Sequence, residues 1–255
     1  MSAEGRVDVL GVPIDRVDFD AVQARVEAWL TTGAGPRQIA TVNPEFVMLA
    51  RRDPAFADVL RTTALNVADG VGIVWAARRF GRPVRERVGG ADLMLRLCAR
   101  AAVTGWGVYL LGAQDDIAAR AGRALQARFP GLRIVGAQAG SPAEADAPAL
   151  LEEIRRCRPE LLFVAYGAPK QDVWLSRHLA GCQGGSAIVG MGVGASFDYL
   201  TGAQRRAPAW VQRLGLEWLF RLLQQPWRLR RQLALPRYAA LVMLESLRGR
   251  VRQQR

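Results

Sequence analysis

The sequence is poor in the residues that most metal and redox sites use. Its 255 residues include one histidine, His178, and three cysteines, Cys98, Cys157 and Cys182, which lie far apart and form no CxxC pair. A single histidine excludes a histidine-rich metal site and any catalysis that needs two histidines. Scattered, odd-numbered cysteines are typical of reduced cytosolic thiols rather than of a disulfide framework. No group of His, Cys and Asp has metal-ligand spacing, so we expect chemistry without a protein-bound metal.

Longer patterns are missing as well. No apolar run approaches the roughly 18 residues that a membrane-spanning helix needs. The first residues, MSAEGRVDVL, show no basic region followed by an apolar one, so we expect no secretory signal. The motif GxxxxGK[ST] does not occur, which argues against a P-loop kinase or ATPase. These absences favour a cytosolic protein.

The charge of the chain is high and unevenly placed. Lysine and arginine number 35 against 23 aspartates and glutamates, which gives a net charge of +12, and Lys170 is the only lysine. Residues 205–255 contain twelve arginines but only Glu217 and Glu245 as acids, whereas residues 1–204 are close to neutral. The charge distribution therefore predicts a near-neutral body, residues 1–204, and a cationic tail, residues 205–255.

Short apolar runs alternate with longer amphipathic segments along the body. Several runs are apolar throughout, which is typical of strands buried on both faces of a sheet. The alternation predicts an α/β fold, with a Rossmann-like, mostly parallel sheet and helices on its faces. We predict strands at 6–10, 37–42, 65–68, 106–111, 132–136, 161–166 and 186–191, and helices at 18–30, 71–80, 115–129, 145–157 and 170–180.

Ligands of such sheets bind at the carboxyl ends of the strands. The segments at these ends are rich in glycine, small polar residues and carboxylates: TVNPE at 41–45, ADG at 68–70, GAQD at 112–115, GAPKQ at 167–171 and GMGVG at 190–194. This composition suits a cleft for a nucleotide sugar or a dinucleotide.

Asp69 is the candidate for acid–base chemistry. It follows a predicted strand and is flanked by Gly70 and Gly72, which let a ligand approach the backbone closely. A carboxylate at a buried strand end can have a raised pKa and can act as a general base toward a sugar hydroxyl. Its position equally allows Asp69 to be the N-cap of the helix at 71–80. Thr41 and Asn43, at another strand end, could orient a sugar or an amide.

Two weaker patterns have structural explanations. GMGVG at 190–194 resembles the start of a dinucleotide fingerprint, but Ala195 stands at the third glycine position and no acidic residue follows on a second strand. Close packing of a glycine loop, or backbone N–H groups that hold another phosphate, explains the motif as well as NAD(P) does. Asp18-Phe19-Asp20 has the acid-x-acid form of metal-dependent glycosyltransferases. It precedes an amphipathic helix, however, where N-capping is the better explanation.

The tail predicts two helical stretches, broken at Pro226 and again at Pro236, with Trp and Leu among the arginines. A cationic amphipathic helix of this kind is typical of binding to an anionic membrane surface. Clustered arginines also suit nucleic acid, and a helix packed on the body would explain the leucines but not the charge. We favour the membrane because bulky apolar residues are frequent and no nucleic-acid-binding signature accompanies them.

With these features placed, about residues 8–235 resemble the WecG/TagA/CpsF glycosyltransferase family. Asp172 departs from the family pattern, since many relatives carry Glu there. The resemblance rests on seven motifs in order: TVNPEFV (41–47), VADGVGIV (67–74), ERVGGADL (86–93), LLGAQ (110–114), VAYGAPKQDVWL (164–175), VGMGVGASFDYLTGAQRRAPAW (189–210) and GLEWLFRLLQQPWRLRR (215–231).

The resemblance implies a Rossmann-like enzyme that needs no metal ion. Such an enzyme transfers a hexose, with inversion, from a UDP-sugar to a polyprenyl-diphosphate-linked sugar at the cytoplasmic face of the membrane. The hexose is N-acetylmannosamine in the teichoic-acid and enterobacterial-common-antigen branches, and other branches serve capsule or exopolysaccharide synthesis. Asp69 would be the general base, with Thr41 and Asn43 as further catalytic residues. The substrate-binding residues would be Arg87, Gly112, Tyr166, Lys170, Gln171, Gly192, Gly194, Arg221, Arg228 and Arg231.

The charge of the tail agrees with this chemistry. An inverting displacement needs a base for the incoming hydroxyl and positive charge for the departing diphosphate. Without a metal ion, guanidinium groups must supply that charge, and Arg221, Arg228 and Arg231 match the family positions that do so. We therefore expect a peripheral protein on the inner face of the cell membrane, in a family that tends to form oligomers, with no nucleic-acid partner. A basic nucleic-acid-binding module and an NAD(P)-dependent oxidoreductase remain the alternatives.

Overall fold

The fold is described by a computed structural model that covers residues 5–213, 215–225, 229 and 233–253. A short antiparallel hairpin, β1 (Arg6–Val9) and β2 (Val12–Asp15), comes first. The main sheet consists of β3 (Arg37–Val42), β4 (Leu65–Ala68), β5 (Gly107–Gly112), β6 (Arg133–Gln138), β7 (Leu161–Ala165) and β8 (Val189–Gly192). These six strands lie in the order β4-β3-β8-β7-β5-β6, and every neighbouring pair is parallel. The predicted Rossmann-like α/β class is therefore confirmed.

Helices connect the strands and cover both faces of the sheet. Those of the body are α1 (Phe19–Thr31), α2 (Pro44–Ala50), α3 (Pro54–Thr62), α4 (Val71–Arg79), α5 (Gly90–Thr104), α6 (Ile117–Arg128), α7 (Ala147–Cys157), α8 (Lys170–His178) and α9 (Ser196–Thr201). The tail contains α10 (Ala209–Arg213), α11 (Glu217–Gln224) and α12 (Ala234–Gln253).

Alternate residues of each buried strand face opposite layers of helices. In β7, Leu161 and Phe163 pack in the core that α1, α5, α6 and α9 cover, whereas Leu162 and Val164 pack against α7 and α8. Near β3 and β4, the second face is completed by the hairpin and by α2, α3, α4 and α12. The sheet is thus buried on both sides, as the continuous apolar runs predict.

All seven predicted strands occur, within three residues of the expected ends, and Asp18 caps α1 by accepting a hydrogen bond from the Ala21 N–H at 2.8 Å. Sequence patterns did not indicate β2, α2, α3 or α5. Helix α5 begins after Gly89 with no side-chain cap, so it carries no N-terminal signal. Helix α2 has Asn43 as its N-cap and Pro44 as its first residue. The sequence pattern indicates a strand-end loop here, although Pro is favoured at the first position of a helix.

The last helix, α12, is part of the packed body. It lies against α2 and α4, and Tyr238 and Val242 are buried in the same core as the N-terminal hairpin. The predicted break at Pro236 is wrong: Pro236 is the third residue of α12, where the backbone nitrogen has no intrahelical acceptor to lose. Pro226 lies outside the described residues. The division between residues 204 and 205 stays a prediction.

Large apolar side chains that remain exposed are concentrated in the tail. They include Trp210, Leu216, Trp218, Leu223, Leu233 and Leu247. Within the described part of the chain, none of the helices combines the length and the apolar character that crossing a bilayer requires.

Candidate active site

The candidate site lies where β3 and β4 end side by side. The two strands are paired in register, with Val42 opposite Ala68, so the residues that follow them emerge at the same edge of the sheet. The Asp69 N–H donates to the Val42 carbonyl at 2.8 Å, which fixes the start of the β4 exit loop beside Asn43. The parallel pairing therefore brings together two of the three predicted catalytic residues.

Asp69 is not a helix cap. The N-cap of α4 is Gly70, with φ of 111°, and no side chain caps that helix. The Asp69 Oδ2 instead accepts a hydrogen bond from the backbone N–H of Gly90, at 3.3 Å, in the first turn of α5. A Cβ at Gly90 would lie 3.1 Å from the Thr41 Cγ2, so only glycine fits easily between Thr41 and the backbone that holds Asp69. The structure excludes the capping alternative for Asp69.

Asn43 has a capping role in addition to the predicted one. Its Oδ1 accepts from the Phe46 N–H at 3.1 Å and so begins α2. This bond fixes the orientation of the amide and uses its oxygen. Since Asn43 lines the cleft, its Nδ2 is the group that can donate to a ligand. Thr41 is buried against Gly90 and also borders the cleft.

Two cavities meet at Asp69. The first, here called the strand-end cavity, has a volume of about 470 Å³ and is bordered by the ends of β3, β7 and β8. The second, the tail-side cavity, has a volume of about 350 Å³ and lies between the body and helices α11 and α12. The residues common to both are Asn43, Glu45, Asp69, Gly90 and Ala91. A carboxylate at this junction can reach ligands in either cavity.

The strand-end cavity contains Tyr166, Lys170, Gln171 and Gly194, as predicted for substrate-binding residues. Gln171 is only 3% exposed, and its Oε1 accepts from the Gly194 N–H at 3.0 Å. That N–H is therefore already engaged, which does not favour GMGVG as a dinucleotide phosphate loop. Burial raises the pKa of the Tyr166 hydroxyl, and Asp146 adds to the shift.

Gly112 and Gly192 border neither cavity. A Cβ at Gly192 would lie 2.5 Å from the Gln171 Nε2, and a Cβ at Gly112 would lie 2.8 Å from the Ala165 carbonyl carbon. Both glycines allow close packing behind the strand-end cavity. Their contact with substrate stays a prediction.

The tail-side cavity combines apolar walls with charged groups. Trp75, Trp218 and Tyr238 form apolar parts of the wall, and the Tyr238 hydroxyl donates to the Gly72 carbonyl at 3.1 Å. Arg87, a predicted binding residue, pairs with Glu217 of α11 at 3.9 Å. Arg206 makes two bonds of 2.7 Å with Asp92, one to each carboxylate oxygen.

The tail arginines of the prediction are only partly covered. Arg221 lies in α11, but its side chain, like the whole of Arg228 and Arg231, falls outside the described residues.

Four charged residues of the cleft were not singled out from the sequence: Glu45, Asp92, Arg206 and Glu217. Each lies inside a motif quoted above, but nothing in the motif indicates that residues far apart in sequence meet here. The signal that could have found them is the pairing of opposite charges among these motifs.

Asp172, the departure from the family pattern, lies behind the strand-end cavity and is fully buried. Neither of its carboxylate oxygens has a hydrogen-bond partner within the described part of the chain. Burial raises the pKa of Asp172 to about 7.

A two-compartment cleft at the carboxyl edge of a parallel sheet, with a carboxylate between the compartments, has the form of a ligand-binding site in an α/β enzyme. The model of the Glycosyl transferase WecG/TagA/CpsF family matches residues 7–252. The chain belongs to this family and is a glycosyltransferase, so the resemblance seen in the sequence is confirmed.

Curated relatives of the chain carry a specific enzyme name. An N-acetylglucosaminyldiphosphoundecaprenol N-acetyl-beta-D-mannosaminyltransferase of Bacillus subtilis (strain 168) is 34% identical over 82% of this chain and 79% of its own length. A protein of the same name from Staphylococcus aureus (strain MW2) is 30% identical over 92% of this chain and 91% of its own length.

Among the described residues, no three His, Cys, Asp or Glu side chains are grouped so that they could hold a metal ion.

Proposed function

We propose that this glycosyltransferase moves an N-acetylmannosamine-type hexose from a UDP-sugar to a polyprenyl-diphosphate-linked sugar, with inversion, in the synthesis of a bacterial surface polysaccharide. The names of the relatives, which describe N-acetylmannosaminyl transfer to a polyprenyl-diphosphate-linked N-acetylglucosamine, support the sugar and the acceptor. The observation that carries the proposal is the position of Asp69 at the junction of two cavities.

In this mechanism Asp69 acts as the general base. Its carboxylate takes the proton from the acceptor hydroxyl as that oxygen attacks the anomeric carbon of the donor. The bond from the anomeric carbon to the diphosphate oxygen breaks on the opposite side, so UDP leaves and the configuration inverts. The hydrogen bond from the Gly90 N–H orients the carboxylate toward the cleft and stabilises its ionised form.

The two cavities suit the two substrates. The strand-end cavity is bordered by Lys170 and by polar groups at three strand ends, which suits the sugar and diphosphate of the donor. The tail-side cavity joins apolar walls to Arg87 and Arg206, which suits an acceptor that carries both a lipid and a diphosphate. As the family resemblance implies, Arg221, Arg228 and Arg231 would supply positive charge to the departing diphosphate of the donor, and no metal ion would then be needed.

The exposed apolar residues of the tail support a peripheral position on an anionic membrane. Tail residues such as Leu223 and Leu233 are 74% and 65% exposed, and the tail carries most of the net positive charge. Apolar groups that insert at the interface and arginines that meet anionic headgroups would hold the cleft beside its lipid-linked acceptor.

The test is the substitution Asp69→Asn, assayed by UDP release from a UDP-sugar with a short-chain lipid-diphosphate-sugar acceptor. Loss of a general base predicts a rate lower by about a hundredfold or more, with UDP binding retained. Asp18→Asn, which changes a carboxylate at the start of α1, is the matched control and should keep the full rate.

Full activity of the Asp69→Asn protein would remove Asp69 as the base. The same assay in excess EDTA should proceed at an unchanged rate, and a dependence on added metal would contradict the proposed mechanism.

A further inference from the structure

Arg206 and Asp92 form an ion pair at the edge of the tail-side cavity. Asp92 is in the first turn of α5, and Arg206 lies in the loop between α9 and α10 that leads into the tail. Both oxygens of Asp92 are engaged at 2.7 Å, each by a different guanidinium nitrogen. The bond to Asp92 raises the pKa of Arg206. The pair is thus bidentate and partly buried, the geometry in which an Arg–carboxylate contact is strongest.

Asp92 and Asp69 face the same point. A Cβ at Gly89 would lie 3.2 Å from the Asp92 Oδ2 and 3.7 Å from the Asp69 Oδ1, and Arg87 reaches that point with its Nη1 at 3.7 Å. The Asp92 Oδ2 and the Asp69 Oδ1 therefore lie less than about 7 Å apart, and a side chain at residue 89 would press on the Asp92 carboxylate.

Two carboxylates this close do not ionise independently. Without compensation, each negative charge makes the other harder to form, and one of the two holds its proton to higher pH. Compensation by arginine is permanent, because guanidinium keeps its proton over the whole range in which carboxylates titrate. Arg206 supplies this compensation to Asp92 directly.

We propose that Arg206 is a positioning residue for Asp69: by neutralising Asp92 it keeps Asp69 ionised for proton transfer, and it fastens the root of the tail to α5 at that point. The inference rests on the proposed function, in which Asp69 is the base. Residues 205–208 (RRAP) thereby take part in the chemistry of the body, separately from any contact that the tail makes with substrate.

The other charged or titratable groups that face the junction stay constant in the test. These are Glu45 from α2, Arg87 from the loop before α5, Glu217 from α11 and Tyr238 from α12, together with Lys170 in the strand-end cavity. The Arg87 Nη1 lies near the same point and 3.9 Å from Glu217. Its charge is present in every variant, so a difference between the variants reports on Arg206 and Asp92.

The experiment measures kcat/KM against pH for the full chain and for three variants: Arg206→Gln, Asp92→Asn and the double variant. Arg206→Gln removes the guanidinium that pairs with Asp92. The acid limb of the profile, where kcat/KM falls at low pH, should then move up by about one pH unit, as a like charge at this separation predicts. Asp92→Asn leaves Arg206 uncompensated and should move the limb down. The double variant removes both charges and should return the limb to its original position.

A merely structural role would lower the rate at every pH and leave the acid limb in place, and that result would overturn the inference. So would a double variant whose limb stays with that of Arg206→Gln. If Arg206→Gln does not fold, as judged by its melting curve, Asp92→Asn and Arg206→Lys decide: the first should shift the limb downward, whereas Lys, which keeps the charge, should leave it unmoved.

The Asp69→Asn protein separates the two proposals. If it is inactive and the acid limb of Arg206→Gln is unmoved, the positioning role fails while the base assignment stands. If Asp69→Asn is active, the base assignment fails and the inference fails with it.

Discussion

Asp172 gives the sharpest prediction for stability. Its carboxyl is fully buried and makes no well-formed hydrogen bond among the described residues. Burial raises its pKa from 3.8 to about 7, and the neighbouring Gln171 side chain lowers the pKa by less. The folded state therefore holds a proton that the unfolded chain releases above its own, lower pKa. The stabilisation from this proton is complete below pH 3.8 and is lost as the pH rises through about 7.

The size of the effect follows from the two pKa values. One pKa unit corresponds to about 1.4 kcal/mol, so the full difference is about 4 kcal/mol. About 3 kcal/mol of it falls between pH 5 and pH 8. Asp172→Asn removes the titration while keeping the shape, and so should remove this part of the loss of stability between the two pH values.

The assay is urea unfolding at pH 5 and pH 8, for the original protein, for Asp172→Asn and for the control Asp116→Asn, which changes an exposed carboxylate at the start of α6. The original protein and the control should lose stability in parallel, and Asp172→Asn should lose about 3 kcal/mol less. Equal losses in all three proteins would mean that Asp172 is ionised in the folded state or has a partner, and would refute the reasoning.

Two further predictions concern the tail. Val242→Ala opens space in the core beneath α12 and should destabilise the protein by about 1–3 kcal/mol in urea unfolding. The control Leu244→Ala changes a side chain that is 53% exposed on the same helix and should destabilise the protein much less. Equal losses of stability would show that α12 does not pack on the body. Replacing Leu223 and Leu233 by Ser should weaken binding to phosphatidylglycerol vesicles by about tenfold or more, while Val103→Ser, a 77% exposed site on the body, should not. A wild-type protein that ignores vesicles and shifts a DNA duplex would favour the nucleic-acid alternative.

The sequence predicted the sheet well because its strands are buried on both faces. In β5 and β7, apolar residues run without interruption. Such a run can be recognised as a buried strand without knowing which strands and helices lie beside it. The sequence predicted α5 poorly, because that helix begins at a pair of glycines that are required by residues outside the start of the helix. Gly89 and Gly90 are small because Asp92, Asp69 and Thr41 approach them.

The same contrast holds in the site. Asp69 could be proposed from its place after a strand, but whether it capped α4 or faced the cleft depended on Gly90, which is distant in sequence. The Arg206–Asp92 pair joins residues 114 positions apart and could not be predicted from either segment alone. Pro236 predicts a break because Pro interrupts helix interiors, yet its place in the first turn makes it compatible with α12.

The shared core of the hairpin and α12 has a consequence for the synthesis of the chain. Val7, Val9 and Ile14 are made well before Tyr238 and Val242, which pack in the same cluster. A growing chain can pair the central strands, but the surfaces of α2 and α4 against which α12 packs stay uncovered until α12 leaves the ribosome. A chain whose synthesis stops before α12 would therefore expose an apolar patch on α2 and α4, a natural target for chaperones and proteases.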